Sequence, residues 1–169
     1  MSEFAKIYVA LGGNLPCEGR SPQETLAEAL QQLPAAGAMP VTVSSFWTSL
    51  AWPDPSKPAY VNALAEINTD LSPVELLGVL QATEESFGRE RHHRWDSRTL
   101  DLDLIDYREK VSDSADLTLP HPRTHERAFV LLPLAEIAPN WVHPVSKKTI
   151  TDLISALPAD LKAHTRRLN

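Results

Sequence analysis

Apolar and polar positions along this chain change period several times, and each change marks an element boundary. Ala5 to Leu11 is a β-rich run that predicts a first strand, with Gly12-Gly13-Asn14 as the turn that ends it. Ser21-Pro22-Gln23-Glu24 is a capping box with proline at the first helical position, and Leu26, Ala29, Leu30 and Leu33 follow at helical spacing. That helix is expected to stop before Pro34. Val41 to Ser49 is dense in β-branched and aromatic residues and predicts a second strand. Leu50 to Ala59 holds three prolines and no periodicity, a loop longer than a hairpin needs. Tyr60 to Asn68 alternates as a third strand, with Tyr60, Asn62 and Leu64 on one face and Val61, Ala63 and Ala65 on the other.

Ser72-Pro73-Val74-Glu75 repeats the capping box and opens a helix to about Phe87, striped by Leu76, Leu77, Leu80 and Phe87 and ended by Gly88. Gln81 and Glu84 fall on one face of it. Leu100 to Tyr107 then alternates leucine with aspartate as a fourth strand. Arg108 to Ala115 is a polar hairpin or excursion, and Leu117 to Pro122 a short edge segment. A helix is expected from Thr124 or His125 until Pro133, a last short one over Thr149 to Leu157, and a frayed tail at Arg166-Arg167. The order β-α-β-β-α-β followed by further helices predicts an α+β ferredoxin-like sandwich. Its core is a four-stranded antiparallel sheet with two helices on one face, and the additional helices are C-terminal. One domain over residues 1–169 is expected.

The chemistry concentrates between Arg89 and Tyr107. Residues 89–98 hold four arginines and two histidines in a chain of net charge -6. Asp101 and Asp103 follow on one strand face, and two neighbouring carboxylates repel unless a cation sits between them. A cationic loop feeding a dicarboxylate strand suits a polyphosphate with Mg²⁺. Each half alone is as well explained by a solvated loop or strand face; their adjacency favours the phosphate reading.

Composition narrows the classes. The acidic balance, pI about 5.5, argues against bulk nucleic-acid or anionic-membrane binding. Basic charge recurs locally at Arg123, His125 and Arg127, and His121 with Arg127 are candidates for phosphate contact. Cys17 is the single cysteine, so no intramolecular disulfide forms. No apolar run reaches the length of a membrane span, and a soluble, cytoplasmic protein is expected. Trp52, Tyr60 and Asn62 form either an aromatic slot for a flat heterocycle or a core tyrosine beneath a loop-covering tryptophan.

Together these motifs resemble the 6-hydroxymethyl-7,8-dihydropterin pyrophosphokinase family of folate biosynthesis. The resemblance runs from Leu11-Gly12-Gly13-Asn14-Leu15 to Pro139 and is most specific at Arg98-Thr99-Leu100-Asp101-Leu102-Asp103-Leu104-Ile105. Tyr60-Val61-Asn62-Ala63, Leu119-Pro120-His121-Pro122-Arg123 and Arg127-Ala128-Phe129 support it. It implies pyrophosphate transfer from MgATP to the pterin hydroxymethyl group, with AMP as the other product.

The resemblance also implies roles. Asp101 and Asp103 would hold two Mg²⁺ ions, with Arg89 and Arg98 as catalytic partners. ATP would meet Leu77, Gln81, Glu84, Arg91, Arg94, Trp95, Arg98, Leu104, Leu117, Thr118, His121 and Arg127. The pterin would meet Ser49, Leu50, Trp52, Tyr60, Asn62 and Phe129. A monomer acting on small molecules, with no nucleic-acid or membrane partner, is expected. Asp96-Ser97 stands where the family often has Gly-Pro, Ser49-Leu50 where Thr-Pro is common, and Gly13 where serine is frequent. The loop is also about one residue shorter between Arg91 and Arg94 than in some relatives. The alternatives are a ferredoxin-like RNA-binding module, which the carboxylates oppose, and a metal-dependent phosphohydrolase.

Overall fold

Two serine caps launch the helices that cover one face of the sheet. Ser21 and Ser72 each accept from the backbone N–H three residues on, and Glu24 and Glu75 each accept from the cap's own N–H. These caps open α1 (Pro22–Gln32) and α2 (Pro73–Ser86). A 3-10 turn over Leu33–Ala36 finishes α1 where Pro34 forbids more α-helix, and Gly88 ends α2 at φ 78°.

The structure is a computed structural model and describes residues 5–88 and 99–168. Its strands are β1 (Ile7–Gly13), β2 (Met39–Val43), β3 (Trp47–Ser49), β4 (Tyr60–Asn68), β5 (Asp101–Tyr107), β6 (Ser112–Asp113), β7 (Thr118–Leu119) and β8 (Arg166–Arg167). One antiparallel sheet runs β5-β1-β4-β3-β8, with β2 also on β4, while β6 and β7 pair separately. The later helices are α3 (Ala128–Ile137), α4 (Ile150–Ala156) and α5 (Ala159–Ala163).

Alternation along the strands sends side chains to two cores. Val9, Leu11, Ala63, Ala65, Leu102 and Leu104 pack on Leu26, Leu33, Leu76 and Leu80 of the α1–α2 side. Tyr8, Ala10, Leu64 and Ile105 pack on Val130, Leu131, Leu134 and Leu153 of the α3–α4 side. Each fully buried leucine contributes roughly 1.5–3 kcal/mol. Helices therefore pack on both faces of the sheet.

Four expectations change. Gly12 and Gly13 do not turn; they extend β1, with Gly12 paired to both β4 and β5 and Gly13 to β4. The stretch from Val41 to Ser49 breaks into β2 and β3 at Ser44, whose hydroxyl accepts the Leu64 N–H at 2.9 Å and donates to Ser45. Pro133 lies inside α3 rather than ending it. The lost hydrogen bond is offset by burial of Val130, Leu131 and Leu134 around it. Arg166 and Arg167 are not frayed but form β8 on β3.

The β1–β5 register slips between Tyr8 and Val9, leaving Ile105 as an extra residue between Asp106 and Leu104. This β-bulge lets Ile105 and Asp106 both serve the α3–α4 side, where strict alternation would separate them. Among the described residues, no helix is long and apolar enough to cross a membrane.

Candidate active site

Three strands set the site. Gly12 on β1 lies between Asn62 on β4 and Asp101 on β5, and Ala10 pairs with Asp103. Paired residues share a face, so this face carries two carboxylates and an amide with only Gly12 and Ala10 between them. The small residues leave a trough there. A Cβ on Gly12 would stand 3.3 Å from Asn62 Oδ1, tighter than ordinary contact.

That trough belongs to a cavity of about 410 Å³ lined by Ser49, Trp52, Tyr60, Asn62, Asp101 and Asp103, with Phe129 and Arg127 entering from the start of α3. Asn62 is buried and donates from Nδ2 to Ser49 Oγ at 2.8 Å, which fixes the amide across β3 and β4. Leu50 and Trp52 border the cavity from the proline loop and are 47% and 61% exposed. The loop is held from behind, where buried Asn14 donates from Nδ2 to Pro58 O at 3.0 Å. Arg123 places its guanidinium carbon 5.8 Å from the Trp52 ring centre. Arg127 Nη1 lies 3.7 Å from Asp103 Oδ2, and its guanidinium carbon 5.5 Å from the centre of the Phe129 ring.

All six expected pterin residues thus meet at one cavity, joined by Asp101, Asp103 and Arg127. The expected adenine residues do not line it. Leu104 and Leu117 are buried in the α1–α2 core, with Leu77 packed against that cluster. Gln81 is exposed on α2, and Glu84 Oε1 accepts the Leu102 N–H at 3.2 Å. Thr118 is on β7, next to the β5 edge that His121 joins by donating its N–H to Ile105 O at 2.9 Å. The two groups lie on opposite sides of β5, an edge strand that a bound molecule can reach around. Arg89, Arg91, Arg94, Trp95 and Arg98 lie outside the described residues.

His121 is neutral at ordinary pH. Burial, then the nearby Arg127, lowers its pKa to about 4 against a weaker opposing pull from Asp101. Its Nδ1 accepts the Arg123 N–H at 3.3 Å, so the proton sits on Nε2 as a donor.

The residues fit Mg²⁺. Asp101 and Asp103 are half-exposed hard oxygen donors on one strand face, and Mg²⁺ is held by one or two carboxylates plus substrate phosphates. Among the described residues no three or more His, Cys, Asp or Glu gather as a closed protein cage.

Residues 8–139 match the model of the 7,8-dihydro-6-hydroxymethylpterin-pyrophosphokinase (HPPK) family. The chain belongs to this family. It is similar to the 2-amino-4-hydroxy-6-hydroxymethyldihydropteridine pyrophosphokinase of Synechocystis sp., 46% identical over 86% of this chain and 73% of that protein. The enzyme of the same name from Haemophilus influenzae is 43% identical over 87% of this chain and 89% of that one. A Plasmodium falciparum HPPK-DHPS chain solved with pteroate shares the fold with TM-score 0.70 at 13% identity. That match covers 99% of this chain and 47% of the other, so the present chain spans about half of that longer protein.

Among the other cavity residues, Gly12 stands in the Leu11-Gly12-Gly13-Asn14-Leu15 motif but reads as a turn, and Ala10 carries no signal beyond its small size on the first strand. Asp160, Leu161, His164 and Thr165 line the cavity from the far end of the chain and had no local signal.

Proposed function

We propose that this chain transfers pyrophosphate from MgATP to the hydroxymethyl oxygen of 6-hydroxymethyl-7,8-dihydropterin, giving AMP and the pterin diphosphate for folate synthesis. The observation that carries this reading is the dicarboxylate Asp101/Asp103 on the wall of the same cavity as Ser49, Tyr60, Asn62 and Phe129. An acidic phosphate site and a slot for a flat heterocycle share one space, as a transfer between them requires.

Asn62 orients the pterin. Its Nδ2 is committed to Ser49, so Oδ1 accepts an N–H from the heterocycle's edge, with Tyr60 and Phe129 against the ring faces. Gly12 keeps the path from Asn62 to Asp101 clear. Asp101 and Asp103 would hold the two Mg²⁺ ions, which when bound would neutralise phosphate charge and lower the pKa of the attacking hydroxyl. The hydroxymethyl oxygen attacks the β-phosphorus, the bond to the α–β bridging oxygen breaks, and AMP leaves while the hydroxyl proton passes to solvent. Arg127 and the Nε2–H of His121 stabilise phosphate oxygens. Arg89, Arg91, Arg94, Trp95 and Arg98 are assigned to the nucleotide by the family resemblance alone.

The finer expectations follow the same reading: a ferredoxin-like core built of β1, β2–β3, β4 and β5, one domain over residues 1–169, a monomer, no nucleic-acid partner and a cytoplasmic setting. Incubation with ATP, Mg²⁺ and the hydroxymethyl dihydropterin tests the activity. AMP is expected only when the pterin is present; phosphate released from ATP alone would mark a phosphohydrolase instead.

A further inference from the structure

The family match ends at residue 139, yet Asp160, Leu161, His164 and Thr165 line the same cavity as Ser49, Tyr60 and Asn62. We propose that residues 159–167 are a pterin-side strap, which completes the substrate cavity, braces β3, and presents Leu161 as an affinity-determining contact for the flat substrate. This inference rests on the activity proposed above.

The strap is well anchored. β8 pairs antiparallel with β3, Trp47 opposite Arg167 and Thr48 opposite Arg166, and the Leu168 N–H donates to Phe46 O at 2.8 Å. Arg167 reaches Glu136 of α3 at 3.6 Å and sets its guanidinium carbon 5.6 Å from the centre of the Trp47 ring. Glu136 in turn accepts from Ser45 N at 2.9 Å, Ser45 Oγ at 2.6 Å and Trp47 Nε1 at 3.0 Å. One carboxylate therefore joins α3, the start of β3 and the strap. Since β3 also carries Ser49, the partner of Asn62, loosening the strap loosens the pterin amide.

Leu161 is held but left open. Buried Thr165 donates from Oγ1 to Leu161 O at 2.9 Å, which fixes the backbone there. The Leu161 side chain remains 39% exposed and borders the cavity together with Trp52. Large apolar groups facing a shared cavity gain by being covered, and a flat ring covers both. Asp160 and His164 add an acceptor and ring nitrogens at the same wall. None of Leu77, Gln81, Leu104, Leu117 or Thr118 lines this cavity, so the strap lies on the pterin side, away from the expected adenine residues.

The test is equilibrium binding of 6-hydroxymethylpterin with Mg²⁺ and a non-hydrolysable ATP analogue, beside binding of the analogue alone. Leu161→Ser is expected to weaken pterin binding about tenfold and Leu161→Met to restore most of it, with nucleotide affinity unchanged. Arg167→Ala is expected to act in the same direction but less, and a chain ending at Pro158 to lose most pterin affinity. If the shortened chain does not fold, the point variants decide. Unchanged pterin affinity in Leu161→Ser, or equal losses for both ligands, would overturn the strap. Failure of the intact chain to bind the pterin at all would sink the proposed activity instead.

Discussion

At one end of β5, Asp101 and Asp103 stand half-exposed on the cavity wall, while at the other Asp106 is sealed at 1% exposure. The sealed carboxylate is occupied by the fold: Trp141 Nε1 donates to one oxygen at 2.8 Å and the Glu109 N–H to the other at 2.9 Å. Burial pushes its pKa above the usual carboxylate range, against the pull of those two bonds. Tyr8, its cross-strand partner, is pushed to about 12, chiefly by burial and then by Glu66 and Asp106. Three aspartates of one strand thus divide between cavity wall and scaffold. What separates them is the bulge at Ile105, which turns Asp106 under α3 and α4 instead of away from them.

The sharpest way to break this comparison is to remove each carboxylate in turn. Asp101→Ala or Asp103→Ala is expected to lower pyrophosphoryl transfer on the order of a thousandfold with unfolding midpoints near wild type. Near-wild-type turnover in either variant would end the metal assignment. Asp106→Ala is expected to do the reverse, costing about 2–4 kcal/mol in denaturant unfolding because the buried Trp141 Nε1 and the part-buried Glu109 N–H lose their acceptor, while turnover per folded molecule persists. Asp106→Asn keeps one acceptor and should cost less.

His121 sharpens the electrostatics of the open end. Its pKa is held to about 4, below its ordinary 6.5, so the unfolded chain takes up the proton first as pH falls. Its contribution is fully present above about pH 6.5 and is lost as pH falls toward 4. Unfolding free energies of the nucleotide-free protein across that window should therefore decline, and His121→Asn should flatten part of the decline. An identical slope in the variant would place the titration elsewhere.

The smallest effect is expected at Gly12. A methyl there meets Asn62 Oδ1 at 3.3 Å, so Gly12→Ala should raise KM for the pterin a few-fold with kcat little changed. A loss confined to ATP affinity would mean that the trough serves the phosphates instead.

Much of the molecule could be read in advance because its signals are local. Capping boxes act over three residues and strand alternation over two, so α1, α2, β4 and the shared face of Asp101 and Asp103 follow from neighbours alone. Tyr60 and Asn62 lie two apart on one strand and Trp52 in a proline loop beside it, and the structure brings all three to one cavity. The misses share another cause. Gly12-Gly13 reads as a turn until two flanking strands claim it, and Pro133 as a helix stop until burial of its neighbours overrides propensity. Arg166-Arg167 carries no strand signal; it becomes a strand because β3 offers an unpaired edge.

The sequence by itself determined α1, α2, β4 and the shared face of Asp101 and Asp103, since these depend on residue type and short spacing. Only the tertiary structure decided that Asp106 is scaffold, that Gly12 opens a trough between Asn62 and Asp101, and that Asp160, Leu161, His164 and Thr165 reach the cavity wall. Each of those depends on which distant backbone lies alongside, and pairing between remote strands leaves no mark in the spacing of either.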